Sequence, residues 1–411
     1  MQLPDDFIQQ IRPLFGETRF ERFMQNLDEE PPVSIRLNPS KSGEWRVERG
    51  EPVPWCRNAF YLAARPNFTF DPLLHAGCYY VQEASSMFLD EILRQHLPSL
   101  HSPLYSLDLC AAPGGKSTLL RSVLPEGSVL YSNEPNRKRA SILLENVTKW
   151  GYDQHIVTCN YPKDYSKLKT KFDVILCDVP CSGEGMFRKD PDSMKEWSLQ
   201  NVERCQQLQR DIVSNAWQCL APGGLLIYST CTYNTKENEE NIRWMMEELG
   251  SEVLPVAVKP EWGITGSLLE GFTAPVFRFI PGYTRGEGLF MAVTRKSGEW
   301  RQERSIEEGK TKKRAEQHKS NNERGLSVLS PLSPQLSTIN YQLSYPQAIA
   351  YLRGEAIVLP PDTPRGLVTV TFMGHPLGQV KNIGNRANNL YPKEWRIKST
   401  HVPEEYKPVI Q

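Results

Sequence analysis

Between residues 104 and 249 short apolar runs alternate with longer amphipathic stretches, and this alternation restricts the fold more than any other property of the chain. Runs at 104–110, 127–132, 155–159, 172–178 and 224–229 have the length and apolar character of buried strands. Helical spacing follows Gly115, resumes near Pro135, and covers 201–220 and 236–249. The pattern predicts an α/β domain built on a doubly wound, mostly parallel sheet. In such a sheet the loops beyond the carboxyl ends of the strands open toward one crevice, where ligands bind. The loops beginning at Ala111, Asn133 and Val179 are therefore expected to share a site. Two further runs, 275–283 and 286–294, read as strands joined through a glycine-containing turn and predict an antiparallel addition at the sheet edge.

The 411 residues exceed what one hydrophobic core organises. Residues 1–75, with a helical opening, Pro31-Pro32 and an extended run from Ser34, are expected to form a small N-terminal subdomain packed on the core at 76–295. From 295 to 324 ten Lys or Arg stand against six Asp or Glu with almost no apolar periodicity, which assigns 296–337 to a polar linker. Residues 338–411 regain Tyr, Leu, Ile and Val between turn signals such as PPDTPRG and MGHPLG, the pattern of a small β-rich domain. Lys and Arg (48) equal Asp and Glu (48), so any basic footprint must be local. With no run of about 18 apolar residues and no leader-like start, the expectation is a cytoplasmic monomer with no membrane partner. The nine cysteines are odd in number and lie between Cys56 and Cys231, which predicts free thiols. Cys177 and Cys181 lack a second ligand pair, so no metal site is expected.

The first strand runs into AAPGGKST, where Pro113, Gly114 and Gly115 make a turn that lets backbone approach a ligand at a helix N-terminus. A phosphate-cradling loop of the form G-x-x-x-x-G-K-[ST] would need Gly where Cys110 stands, which weakens a nucleotide-hydrolase reading. S-adenosylmethionine asks for the same close turn plus an acid at the end of the next strand for its ribose hydroxyls, and Glu134 supplies that acid. Taken alone, the turn also fits an ordinary strand-to-helix connection.

Further along, one strand ends at Asp178 and leads to Cys181 in a loop of small residues, while another ends just before Cys231 in a polar loop. Both thiols fall on the ligand side of the sheet, whereas Cys110, Cys159, Cys177, Cys205 and Cys219 read as small apolar core residues. Carbon 5 of cytosine is a poor nucleophile, but a thiolate that adds to carbon 6 makes the ring enamine-like and able to attack a sulfonium methyl. That chemistry asks for an acid near the ring nitrogen, a role that suits Asp178, and for a polar group such as Cys181 to help end the covalent stage. The structural alternative for Asp178 is a turn former.

DLCAAPGGKST, SNEPNRKR, DVPCSGEGMFRKDP and YSTCT, with GCYYVQEASSM at 77–87 and RFIPGYTRGEGLFMAV at 278–293, resemble the RNA 5-methylcytosine methyltransferases of the Nol/Nop/Sun family. The resemblance spans residues 34–293 and implies a Rossmann-like, S-adenosylmethionine-dependent core. It implies that Cys110, Ala111, Ala112, Pro113, Gly114, Gly115 and Lys116 bind the cofactor, that Glu134 holds its ribose, and that Asp178 lies beside cofactor and base. Cys231 is implied as the nucleophile and Cys181 as the aid to release. DNA cytosine methyltransferases attack with the cysteine of the Pro-Cys loop, so the Thr-Cys-Thr around Cys231 implies RNA and not DNA. Within the family the chain is similar to bacterial enzymes of 16S ribosomal RNA that carry a tail domain. The implied partner is 16S RNA or the small ribosomal subunit, with transfer RNA as the alternative substrate and a non-catalytic RNA-binding assembly factor as the reading from another class. One departure concerns the acid usual after the third strand, where this chain has Asn160 and Tyr161; Asn160 is the expected hydrogen-bonding substitute. The place of Lys116 stays open between the target base and local charge balance. The tail at 351–397 resembles PUA-type RNA-binding domains, which implies Lys381, Arg386, Lys393 and Arg396 as phosphate contacts and Tyr391 as a stacking ring.

Overall fold

The computed structural model describes residues 1–41, 45–97, 103–168, 170–298, 326–329, 337–399, 401–403 and 406–411. Most of the expected linker therefore lies outside the described residues. The N-terminal strands are β1 (Val33–Leu37), β2 (Glu51–Pro52), β3 (Ala59–Leu62) and β4 (Tyr79–Val81). The middle of the chain supplies β5 (Tyr105–Asp108), β6 (Val129–Asn133), β7 (His155–Thr158), β8 (Phe172–Asp178), β9 (Leu220–Thr230), β10 (Glu252–Leu254), β11 (Phe277–Phe279), β12 (Leu289–Arg295) and β13 (Val328–Leu329). The tail holds β14 (Asn340–Gln342), β15 (Gly366–Phe372), β16 (His375–Asn382) and β17 (Ala387–Asn389).

Strands β5 to β9 pair in parallel in the order β7-β6-β5-β8-β9. The order reverses between β5 and β8, so the loops that leave these two strands diverge to opposite sides and a crevice opens between them. β8 is buried along nearly its whole length, as a strand covered by helices on both faces must be. The helix Arg137–Trp150 starts at Asn136, whose side chain accepts from the N–H groups of Lys138 and Arg139, and stops at Gly151 with φ +80°. The helix Leu199–Cys219 starts at Ser198, which accepts from the N–H of Asn201. Beyond β9 the expected antiparallel addition is three-stranded: β12 pairs with β9 and carries both β10 and β11. At the opposite edge β13, which comes from within the expected linker, adds antiparallel to β7.

The N-terminal part has two tasks. Its helices Asp5–Phe15 and Glu17–Leu27 bury Phe7, Phe15 and Phe23 against Phe187, Trp197 and Tyr233 of the α/β domain. Its four strands pair in the order β2-β3-β1-β4. The boundary expected at residue 75 falls short, because β4 lies beyond it and hydrogen-bonds to β1. The N-terminal part shares one hydrophobic cluster with the tail, which takes in Ile35, Phe70, Leu73 and Tyr79 together with Leu343, Tyr351, Val368 and Val370. The last residues seal the contact, with Tyr406 Oη donating to Asp71 Oδ1 at 3.0 Å and the Arg46 N–H donating to the Gln411 carbonyl at 2.7 Å. Within the tail, Tyr391 is 4% exposed and packs edge-on against Tyr351 and Trp395, so it belongs to the core and is not a free stacking ring. Lys381, Arg386 and Lys393 are exposed, while Arg396 is half-buried.

Candidate active site

β5 ends at Asp108, and the chain turns through the cis Ala112–Pro113 peptide into the helix Gly115–Val123. Gly114 precedes that helix with φ +119°, and a Cβ on it would stand 3.3 Å from Leu143 Cδ1 and 3.4 Å from Asn146 Cβ. The turn is tied to its surroundings by main chain. The Ala111 N–H donates to the Asn133 carbonyl at 2.8 Å, and the Ala112 and Pro113 carbonyls accept from Arg139 and Asn146 at 3.0 and 2.8 Å. Arg36 of β1 donates to Gln82 Oε1 at 2.9 Å, to the Gly115 carbonyl at 3.1 Å and to Thr118 Oγ1 at 2.7 Å. Burial lowers its pKa to about 10. Beneath the turn Asp108 accepts from the Ser117 hydroxyl, and burial pushes its pKa up to about 7.

Glu134, just past β6, is 2% exposed; its Oε1 accepts from the Asn136 N–H at 2.9 Å and its Oε2 pairs with Arg139 at 3.2 Å. The demands of S-adenosylmethionine are a side-chain-free turn at a helix start and a carboxylate at the end of the second strand. The cradle at Gly114, which a Cβ would crowd, and the carboxylate of Glu134 meet both. Asn160 stands just past β7. Its Nδ2 donates to the Ser327 carbonyl at 3.2 Å and its Oδ1 accepts from the Ser327 N–H at 2.8 Å. The side-chain amide thereby ties the end of β7 to the residue that leads into β13.

Across the switch point, Lys116 Nζ donates to Asp178 Oδ2 at 2.9 Å. Burial opposes the Lys116 ammonium, but the charge and hydrogen bond of Asp178 outweigh it and leave the pKa raised. Charge balance is therefore a task that Lys116 performs. The two sulfurs predicted to matter are neighbours, with Cys181 Sγ 3.2 Å from Cys231 Sγ. The hydrogen bond to Cys231, followed by burial, raises the Cys181 thiol well above its ordinary pKa. The Gly185 N–H donates to the Cys231 carbonyl at 2.8 Å, which brings the two thiol loops into main-chain contact.

Lys116 and Asp178 thus make one contact pair and Cys181 and Cys231 another, with Cys231 close enough to act electrostatically on Lys116, while Cys110 through Gly115 and Glu134 follow the neighbouring strands β5 and β6. A cavity of about 1140 Å³ opens nearby, lined by Arg65, Gln82, Glu83, Arg188, Lys189 and Gly286 among others, but none of the four reacting-group residues lines it. The sequence reading passed over Arg36, Asp108, Glu184 and Glu237. Asp108 carried a usable signal, since it ends β5 as Asp178 ends β8. Arg36 lies in a strand outside the motifs, and the two glutamates sit in polar loops where a charged residue is ordinarily solvated.

Three family models match the chain: 16S rRNA methyltransferase RsmB/F over residues 99–295, the N-terminal domain of 16S rRNA methyltransferase RsmF over 3–84, and the methyltransferase RsmF PUA domain over 338–397. Ribosomal RNA small subunit methyltransferase F of Salmonella agona (strain SL483) is 30% identical across 95% of this chain and 96% of its own. Its counterpart in Enterobacter sp. (strain 638) is 28% identical across 95% of both chains. A solved methyltransferase homolog protein from Pyrococcus horikoshii has a TM-score of 0.59 at 26% identity, over 71% of this chain and 94% of the other. The three matches follow the N-terminal unit, the α/β domain and the tail in order, and the chain belongs to the RsmF family of 16S ribosomal RNA methyltransferases.

Proposed function

We propose that the protein methylates carbon 5 of a cytosine in 16S ribosomal RNA, with S-adenosylmethionine as donor and Cys231 as covalent nucleophile. The observation that carries this reading is the pairing of two thiols at 3.2 Å beside an aspartate–lysine pair at the sheet's switch point. A methyltransferase that attacked directly would need neither sulfur; two sulfurs suit a reaction that forms a bond to the substrate and must break it again.

In the proposed sequence Cys231, having given its proton to water, bonds as the thiolate to carbon 6, and the electron pair of the 5,6 double bond moves toward carbon 5. Asp178, balanced by Lys116, exchanges a proton or hydrogen bond with the ring nitrogen and so limits the charge that builds there. When bound, S-adenosylmethionine supplies the electrophilic methyl group that the activated carbon 5 takes up. Loss of the carbon-5 proton to water then restores the double bond and expels the Cys231 sulfur as a thiolate. Cys181, whose pKa is raised, donates a hydrogen bond to that departing sulfur. Gly114 and Glu134 are the groups assigned to hold the cofactor. The exposed Lys381, Arg386 and Lys393 of the docked tail are assigned to phosphate contacts.

Cys231→Ser should transfer no radiolabelled methyl to 16S RNA while binding S-adenosylmethionine like the unaltered protein in calorimetry. Cys181→Ala should trap a protein–RNA adduct that survives a denaturing gel. Full methylation by Cys231→Ser would overturn the nucleophile, and an adduct with Cys231→Ala but not with Cys181→Ala would exchange the two roles. Bisulfite sequencing of ribosomal RNA from a deletion strain tests the modified atom, since loss of no 5-methylcytosine there sinks the cytosine assignment.

A further inference from the structure

We infer that Glu184 and Glu237 are positioning residues that set the spacing of the two thiols, each rising from one thiol loop and holding the other. The inference rests on the two-thiol reading above. Glu184 follows Cys181 in the loop after β8, yet apart from Trp197 Nε1, which donates to its Oε1 at 3.1 Å, its partners lie after Cys231. Its Oε2 accepts from Thr232 Oγ1 at 2.6 Å and from the N–H groups of Tyr233 and Asn234 at 2.6 and 3.0 Å. Glu237 follows Cys231, yet it reaches back: its Oε2 accepts from the Ser182 N–H at 3.0 Å and its Oε1 from the Ser182 hydroxyl. Asn234 joins the two, with its Nδ2 2.9 Å from Glu184 Oε1 and 2.9 Å from Glu237 Oε1.

Both carboxylates are almost wholly buried, and the donors that reach them are neutral. Burying a carboxylate against neutral donors is costly, so the arrangement does not read as a device for stability. In each of these contacts a carboxylate oxygen accepts, and its several acceptor sites let one side chain gather N–H and O–H groups from two chain segments into one point. A glutamine keeps the shape but turns one end into a donor that faces donors already present. The hold is uneven. Cys231 is also tied by the Gly185 N–H, and Thr230 beside it donates to Asn238, whereas Cys181 relies on Ser182 and on the Gln209 contact to the Pro180 carbonyl at 2.9 Å. Gln209 is itself hydrogen-bonded to Glu237 at 2.6 Å. Loss of Glu237 should therefore displace Cys181 more than Cys231.

The test reads the thiol spacing apart from the reaction. Diamide takes two electrons and two protons from neighbouring thiols, becoming the hydrazine and leaving a disulfide, and the rate follows how well the pair meets the narrow geometry of that bond. In the full-length protein the Cys181–Cys231 disulfide, identified by mass spectrometry of the digest, should form about tenfold more slowly in Glu237→Ala, with Glu237→Gln in between. Glu237→Ala should also lower kcat about tenfold and accumulate the RNA adduct expected of Cys181→Ala, while KM for RNA stays within about twofold. Calorimetric binding of S-adenosylmethionine checks that the variant is folded; should Glu237→Ala fail it, Glu237→Gln and Glu184→Gln carry the same comparison. Wild-type rates of both disulfide formation and turnover in the folded variants would overturn the inference. Disulfide formation that depends on Glu237 alongside full methylation by Cys231→Ser would leave the spacing role standing and remove the covalent mechanism.

Discussion

The Gly114 turn and its surroundings beyond β5 and β6 and the two thiol loops beyond β8 and β9 lie at the same end of one sheet, yet they are held by different means. The turn is held through its own main chain: a glycine at φ +119°, carbonyls that accept from the side chains of Arg139 and Asn146, and an N–H that continues the contact between neighbouring strands. The thiol pocket is a side-chain construction, in which residues fifty positions apart in the chain meet through two buried carboxylates and one shared asparagine. A binding turn needs only the right local conformation at a strand end. A fixed distance between two reactive atoms on different loops needs contacts between those loops.

Gly185→Ala offers the sharpest break between the two regions. A Cβ there would lie 2.5 Å from the Gly288 carbonyl oxygen and 3.0 Å from that of Cys231, both main-chain atoms that cannot swing aside. Displacement of the thiol loops should lower single-turnover methylation about 100-fold, with cofactor affinity unchanged. Loss of affinity at constant turnover would show that the two regions are not separable in this way. The converse change is Gly114→Ala, where a positive φ and the approach of Leu143 should weaken S-adenosylmethionine binding about tenfold in calorimetry, with methylation at saturating cofactor retained.

The smallest expected effect is a pH slope in stability. Burial lifts Asp108 to about 7 from its ordinary 3.8, so the folded chain holds this proton more tightly than the unfolded chain does. Its contribution to stability is complete below about pH 4 and is lost as the pH rises through about 7. Glu237, lifted by burial from 4.5 to about 7, acts in the same sense. Urea unfolding of Asp108→Asn should therefore show a shallower decline with rising pH than the unaltered protein. An unchanged slope would place the effect elsewhere.

Several features of this site were legible because they are local. The end of each strand is marked by where an apolar run meets small or polar residues, so Asp178, Cys231 and the Pro113–Gly115 turn could be placed on the ligand side before any contact was known. Elsewhere the answer depended on distant chain. Tyr391 looks like a stacking ring in a basic tail, but Tyr351 and Trp395 enclose it. The amide of Asn160, at a strand end, is tied to Ser327, far along the chain, a contact that no local pattern reveals. The N-terminal helices carry a visible apolar face, yet nothing in them reveals that Phe23 would pack 5.2 Å from the ring of Tyr233, two residues past Cys231.

Periodicity by itself determined the α/β class, the run of parallel strands and the side of the sheet on which chemistry gathers, because strand and helix formation and the right-handed crossover are dictated by residues near one another. Motif order determined the family. The tertiary structure alone decided that Cys181 and Cys231 stand at 3.2 Å, that Glu184 and Glu237 hold their loops reciprocally, and that the tail shares a core with the N-terminal part. These are relations between segments far apart in the chain. A polar side chain in a loop carries no mark of whether water or another loop will supply its hydrogen bonds until packing has excluded the water.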